Sequence, residues 1–288
     1  MACDVTGGGI VTVGGEDIHE LYERWCEVGQ VITLTAVPDL GREFYNEPCN
    51  VSLGAAFRAA GSGVHLIPTD FATLAEALAS EQVMEGDVIR FATGTHVFDA
   101  SAHVTDETTT YSCLGAIRKS VIVEGTGATP NDTQIDCGGS GGIIVDHPEA
   151  VVRNLSFTNF VNTTAKAEPL FYVKQGVASN VWVNGAMPGE AKTYKGIKSF
   201  VYVGSGALFT DSQVFAVTNI QWDGANLVSL NAGTMRRCKL FRNNITTSIA
   251  HSAASPSSIE DCEFSDNYGY ACGGAKCEKA CNVRNTLF

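Results

Sequence analysis

Across residues 140–288 one pattern of apolar and polar positions keeps returning. It runs apolar, two polar, small or apolar, polar, apolar, and then polar residues rich in Asn and Asp. Val152-Arg153-Asn154-Leu155-Ser156-Phe157 is one copy, and Ala178-Ser179-Asn180-Val181-Trp182-Val183 is the next. Phe209-Thr210-Asp211-Ser212-Gln213-Val214 and Met235-Arg236-Arg237-Cys238-Lys239-Leu240 follow. Ile259-Glu260-Asp261-Cys262-Glu263-Phe264 and Val283-Arg284-Asn285-Thr286-Leu287-Phe288 complete the set. Starting at 152, 178, 209, 235, 259 and 283, the copies are 26, 31, 26, 24 and 24 residues apart. Such self-similarity marks a repeat architecture, in which each unit buries its apolar face only by stacking on its neighbours.

A second family of short runs keeps step with the first. Its members are Gly142-Ile143-Ile144-Val145, Leu170-Phe171-Tyr172-Val173, Phe200-Val201-Tyr202-Val203 and Leu227-Val228-Ser229-Leu230. Runs rich in Val, Ile, Phe and Tyr, bounded by Gly, Asn and Asp, read as strands. No helix-length periodic segment lies between residues 140 and 288. Two or three strands per turn of roughly 25 residues describe a coil. The fold class expected is therefore all-β, a right-handed parallel β-helix whose successive coils pair at about 4.8 Å. A propeller blade would need about 40 to 45 residues, and a sandwich gives no reason for two families to stay in phase.

Residues 1–63 lack the repeat. A short strand is expected at 10–13. Helical spacing follows over 16–28, with Ile18, Leu21, Tyr22 and Trp25 on one face. Residues 31–36 alternate like a strand, 38–48 read as a loop, and 53–60 as a short helix. Thr69 or Asp70 is expected to cap a helix carrying Phe71, Leu74, Ala75 and Leu78. Residues 86–91 and 94–98 then read as the first strands. The expected division is an α/β N-terminal cap over 1–86 and a parallel β-helix over 87–288. A cap has a physical purpose, because an open end exposes strand edges and core. The last phrase stops in mid-strand at Leu287-Phe288, so the C-terminal end is expected to be covered by further chain or another subunit.

Composition narrows the choice of function. With 44% hydrophobic and 17% charged residues the chain folds. A formal charge of −12 disfavours nucleic acid and anionic membrane surfaces as partners, since both need basic patches. There is no run of 18 apolar residues to span a membrane. The opening Met1-Ala2-Cys3-Asp4 has no basic start or apolar stretch and does not read as a secretory signal. Two features nonetheless point outside the cell. There are ten cysteines: Cys3, Cys26, Cys49, Cys113, Cys137, Cys238, Cys262, Cys272, Cys277 and Cys281. That number is even and large for a cytosolic protein, so all ten are disulfide candidates. The other feature is the set of Asn-x-Ser/Thr sequons at Asn50, Asn131, Asn154, Asn162 and Asn244. Asn154 also suits an asparagine turn ladder at a strand edge.

The phrase Asp70-Phe71-Ala72-Thr73-Leu74-Ala75-Glu76-Ala77-Leu78, then Gly86-Asp87-Val88-Ile89 and Gly94-Thr95-His96-Val97, resembles the opening of the pectin lyase-like superfamily of right-handed β-helices. Lys119-Ser120-Val121-Ile122-Val123-Glu124-Gly125-Thr126-Gly127-Ala128 fits the same pattern. The likeness spans residues 65–288 and implies a fold shared by polysaccharide lyases, esterases, hydrolases and non-enzymatic surface proteins. In pectate lyases a strand like 153–157 is followed by an acidic calcium ligand and an Asn-Val-Trp-Ile-Asp-His strand. This chain has Glu168 in the gap and then Asn180-Val181-Trp182-Val183-Asn184-Gly185, so the implied carboxylate is missing. Arg236-Arg237 sits in a repeat phrase rather than in the arginine motif. The aspartate sets of pectin methylesterases and polygalacturonases do not appear. Cys262-Glu263-Phe264-Ser265-Asp266-Asn267 and Gly273-Gly274-Ala275 more resemble surface and autotransported β-helix repeats.

Remaining candidates for chemistry are sparse, and no catalytic residue is assigned. Asp146-His147 are adjacent on a strand and point to opposite faces. Asp132, Asp136 and Asp146 suit corner chemistry better than a calcium or acid-base site. Cys262, Cys272, Cys277 and Cys281 lack the paired knuckles of structural zinc, and no metal or cofactor is expected. Cys238 and Cys262 share a phrase position one coil apart, consistent with a disulfide or a thiol ladder. Thr108-Thr109-Thr110 and Thr163-Thr164 lack the coil-to-coil repetition of an ice-binding face. Gly7-Gly8-Gly9 and Gly138-Gly139-Ser140-Gly141-Gly142 read as corners. Tyr172, Trp182, Tyr194, Tyr202 and Trp222 are candidates to stack on sugars or to fill the core. The expected function is a secreted, glycosylated structural or adhesive module that assembles head to tail. The rivals are a carbohydrate-active enzyme and a carbohydrate-binding module, with polysaccharide as partner.

Overall fold

The structure is a computed structural model. It describes residues 63–98, 104–106, 111–160, 170–185, 199–217, 226–245, 247–254 and 256–288, together with five strands nearer the N-terminus. The chain divides into two compact units, Met1–Ala59 and Ala60–Phe288.

In the first unit Gly9–Val13 pairs antiparallel with Glu16–Ile18 on one side and Leu34–Pro38 on the other. Ala2–Cys3 pairs antiparallel with Tyr22–Glu23. The helix expected over 16–28 is thus corrected at 16–18 and 22–23, which are strands. Val13 is registered opposite Glu16, across a Gly14-Gly15 step. A Gly-Gly pair between two extended runs is a hairpin signal that outweighs the helical spacing. The helix expected at 53–60 lies outside the described residues.

The second unit is an all-β parallel solenoid. A seven-stranded sheet stacks Gly115–Ile117, Ile143–Val145, Phe171–Val173, Ser199–Val203, Asn226–Asn231, Ser248–Ala254 and Cys272–Cys277. A fourteen-stranded sheet carries the repeat phrases, and every pairing in both sheets is parallel. The first coil starts at Val64–Ile67, paired with Val88–Phe91, one coil before the first strand expected from sequence.

The phrase alignment matches the register residue by residue. Val152, Ala178, Phe209, Met235, Ile259 and Val283 are consecutive partners. So are Phe157, Val183, Val214, Leu240 and Phe264. Both stacks point inward and are buried, except Val283 in the last coil. Each large side chain buried in this way contributes roughly 1.5–3 kcal/mol. Phe157, Phe171 and Phe209 pack in sequence, with centroids 5.1 and 6.3 Å apart.

Between the two stacks the sheet bends, so each coil has three straight segments. The bend sits at the third phrase position, where Asn154, Asn180, Asp211, Arg237, Asp261 and Asn285 all have φ between 44 and 55°. Asn and Asp tolerate this left-handed conformation, which explains five of the six. Arg237 is the exception, and its guanidinium holds Asp211 of the preceding coil at 2.6 and 2.7 Å. Asn180 likewise donates to Asn154, and Asn285 to Asp261. A second amide ladder lies inside: buried Asn243 donates to the Val214 carbonyl and to Asn267 Oδ1, and receives the Val217 N–H.

The helix is short, Leu74–Ala79, and its N-cap is Thr73, which accepts from the Glu76 N–H. Thr69 and Asp70 do not cap it; Asp70 accepts the Leu66 N–H instead. Leu74 and Ala77 are buried, and a Cβ on Gly115 would meet Leu78 and Leu74 at 2.9 and 3.2 Å. A side chain at Gly115 would push against these two leucines, so glycine eases the approach of the first strand of the seven-stranded sheet to the helix.

Candidate functional site

Strand alternation sends Val145, Val173, Val203 and Leu230 inward and their neighbours outward. On the outer face of the seven-stranded sheet this builds one column from Ala116 through Ile144, Tyr172, Tyr202, Ser229 and His251 to Lys276. Ile144 is covered by Cys113 and packs with Ala116 and Tyr172. Tyr172 and Tyr202 then meet edge to face, 4.7 Å between centroids. Lys174 lies 5.3 Å from the Tyr172 ring centre, and its Nζ is 3.1 Å from Asp146 Oδ2. Arg118 approaches the same carboxylate oxygen at 3.8 Å. Asn231 donates to the Tyr202 hydroxyl at 2.6 Å. Below, Glu278 joins His251 and Lys276 at 3.3 and 2.8 Å. The Lys276 and His251 bonds hold the Glu278 carboxyl below its ordinary range.

This face offers half-buried aromatic rings beside hydrogen-bonding and charged groups. Such a set can hold a polar ring by stacking and hydrogen bonds. Of the two readings open for Tyr172 and Tyr202, stacking on sugars or filling the core, the structure excludes the core: both face outward. Lys174, Asn231 and Arg118 were not singled out from sequence. Lys174 was signalled only by its place one residue beyond the strand family.

The outer face of the fourteen-stranded sheet differs. Glu124 is buried between Arg90 and Arg153, with bonds of 2.6 and 2.8 Å from each. Burial is the largest single influence on its carboxyl and raises the pKa. The bonds from Arg153 and Arg90 together outweigh it and hold the group low. Asp211 is held low chiefly by Arg237. Phe215 and Phe241 stack 5.1 Å apart at 7°, with Trp182 edge-on to Phe215. Stacked on one another, these two rings present edges rather than faces to a ligand.

The other candidates fall into place one by one. Asp132 caps a turn through the Thr129 N–H and hydroxyl, and Asp136 accepts from Gly138 and Asn159. Together with Asp146 in its ion pairs, these three carboxylates serve separate partners. His147 Nδ1 accepts the Glu149 N–H and does not bond Asp146. Gly138 and Gly139, expected at a corner, instead lie within the strand Thr133–Ser140 where its register shifts, with φ of 58 and 82°. Among the described residues no group of three or more His, Cys, Asp or Glu is placed to hold a metal ion. Nor is any described helix long and apolar enough to cross a membrane.

Among the sequons, Asn131 and Asn244 are exposed. Asn154 donates both amide hydrogens, to the Gly125 and Gly127 carbonyls, and so belongs to the turn ladder. Asn50 and Asn162 lie outside the described residues, as do Glu168, Tyr194, Trp222, Cys26, Cys49 and the side chain of Cys3. The seven described cysteines, Cys113, Cys137, Cys238, Cys262, Cys272, Cys277 and Cys281, are thiols. Cys238 and Cys262 form a ladder inside the bend, donating to the Arg236 and Glu260 carbonyls at 3.3 and 3.1 Å. Ser212 makes the same bond one coil earlier, to Thr210, so the thiols stand where a hydroxyl fits. Burial pushes the Cys113 thiol up to about 11.

What these features define is a parallel β-solenoid with outward side-chain ladders. No protein-family model, curated protein or solved structure matches the chain.

Proposed function

We propose that the chain is an extracellular, glycosylated structural or adhesive module of the pectin lyase-like type, wound right-handed. The handedness follows the rule for parallel crossover connections. The observation that supports the structural reading is the closure of the outward ladders on themselves. Arg90, Glu124 and Arg153 are bonded along the coil axis, as are Asp211 and Arg237, and Asp261 and Asn285. Groups committed to their neighbours stiffen a rod and leave a flat face. Exposed Asn131 and Asn244 are the proposed glycan positions. At the last coil Val283, Leu287 and Phe288 are 41%, 66% and 60% exposed. A second copy stacked there, or further chain, would cover this apolar edge.

Negative-stain microscopy with light scattering tests the reading. End-to-end rods, dispersed by Leu287→Lys with the earlier coils still folded, are the expected result. Compact monomers at high concentration, together with turnover of a polysaccharide, would overturn it. A second reading is carried by the Tyr172 and Tyr202 pair, beside Lys174 and Asn231: binding of a polysaccharide along the seven-stranded sheet. Affinity electrophoresis against neutral and acidic polysaccharides separates the two, with Tyr172→Ala and Tyr202→Ala abolishing retardation only under the second.

A further inference from the structure

The corner that joins the two sheets is closed differently in the last two coils. In the earlier one, Ser252 ends the straight part of a strand in the seven-stranded sheet, and Ser257 begins the next strand of the fourteen-stranded sheet. Both hydroxyls donate to the Ala254 carbonyl, at 3.4 and 2.6 Å, and Ser257 Oγ accepts the Ala232 N–H. One coil later Cys277 is registered on Ser252, and Cys281 on Ser257. Two thiols therefore replace two hydroxyls at one corner, with Glu278, Lys279 and Ala280 between them. The side chains of Cys277 and Ser252 adjoin the Cys281 thiol.

We propose that Cys277 and Cys281 form an intramolecular disulfide that clasps this corner, and that they are the oxidisable pair of the solenoid. The pair that stacks from coil to coil is unsuited. Cys238 and Cys262 are buried inside the bend and committed to backbone carbonyls. Cys277 is exposed and Cys281 half-buried, so a reagent can reach the first and the second is poised behind it. As the exposed thiol of the two, Cys277 makes the first attack, while burial, with Cys277 adjoining, pushes the Cys281 thiol up to about 11.

The oxidant is a low-molecular-weight disulfide such as oxidised glutathione. Cys277 thiolate attacks one of its sulfurs, forming a mixed disulfide and expelling one glutathione thiolate. Cys281 then loses its proton and attacks Cys277 Sγ, expelling the second glutathione thiolate, which takes up a proton. Two protein thiols are oxidised to one S–S bond, and one glutathione disulfide is reduced to two thiols. The bond would fasten the strand Cys281–Arg284, which among the described residues has a paired neighbour only in Ser257–Glu260.

The inference goes beyond the structural reading, and its test reads the bond whether or not the protein assembles. The full native chain is reduced, freed of reductant, exposed to oxidised glutathione, blocked with a maleimide and digested with trypsin. Cleavage after Lys276, Lys279 and Arg284 leaves peptides 277–279 and 280–284, joined only if the disulfide exists. The expected result is one linked species that separates on reduction, with Cys238 and Cys262 labelled only after denaturation. Cys281→Ser, which restores the serine of the preceding coil, should trap glutathione on Cys277. Both peptides carrying maleimide, Cys277 linked to another chain, or no trapped glutathione in the variant would each overturn the proposal.

Discussion

The middle coils and the last coil use one phrase on one backbone and end in different environments. Met235 is fully buried, Ile259 is 1% exposed, and Val283, their partner in the same stack, is 41% exposed. The third phrase position bends identically in all three, at φ of 52, 53 and 44° for Arg237, Asp261 and Asn285. Conformation is thus set within a coil, whereas burial comes from the coil above and below. In a stacked architecture stability is a sum of neighbour interfaces, so the same substitution should cost different amounts along the axis.

The largest effect is expected at the centre. Phe209 is fully buried and touches Phe171 across the core. Phe209→Ala removes most of a ring and leaves a cavity flanked by two rigid sheets, at a cost of about 3–5 kcal/mol. Chemical denaturation should show that loss, and hydrogen exchange should localise it to the coils on either side. A cost below about 1 kcal/mol would mean that the middle coils are not packed as described.

Next is the interior amide ladder. Asn243→Ala removes the acceptor of the buried Val217 N–H and one of the donors to the Val214 carbonyl. The expected cost is about 1–3 kcal/mol. In the last coil Asn285→Ala breaks an exposed bond to Asp261 and puts alanine at a left-handed φ of 44°, at an expected cost of about 1 kcal/mol.

The sequence made the inner stacks legible because burial recurs at the same phrase positions from coil to coil, although the coils differ in length. Val152 to Val283 and Phe157 to Phe264 could be aligned by eye, and the register agrees at each step. The bend was less legible. Asn and Asp at the third position tolerate a left-handed backbone, but Arg237 breaks that pattern, because its support comes from Asp211 a coil away. The N-terminal unit misled, since the spacing of Ile18, Leu21, Tyr22 and Trp25 fits a helix as well as isolated strand residues. The outer face was hardest to read. Tyr172 and Tyr202 stand in apolar runs, and only the alternation fixed by Val173 and Val203 shows that they point outward. Lys174, Asn231 and Arg118 carry no period, so their meeting depends on register alone.

Acid should discriminate between ladders. Glu124 titrates below its ordinary value of 4.5 in the folded protein. The unfolded chain then binds that proton more readily, so the contribution is complete above about pH 4.5 and disappears as the pH falls through the lower folded value. Glu124→Gln should lower the urea midpoint at neutral pH, because Arg90 and Arg153 are left facing each other. It should also flatten the dependence of the midpoint on pH below about 4.5. An unchanged acid slope in the variant would show that Glu124 does not carry the effect.

The smallest expected effect is also the one that reads the environment of the last coil. Val283→Ala deletes two methyl groups from a side chain that is already 41% exposed, whereas Ile259→Ala deletes three carbons from one that is 1% exposed. In an isolated chain the first should cost less than about 1 kcal/mol and the second about 2–5 kcal/mol. The ratio depends on what lies over Val283. If a second copy stacks on the last coil, Val283 becomes a middle-coil residue, and its cost should climb toward that of Ile259 as protein concentration rises. Denaturation of both variants over a range of concentrations therefore measures the covering directly. A Val283→Ala cost that stays small at every concentration would leave the last coil an end, and would remove the main support for head-to-tail assembly.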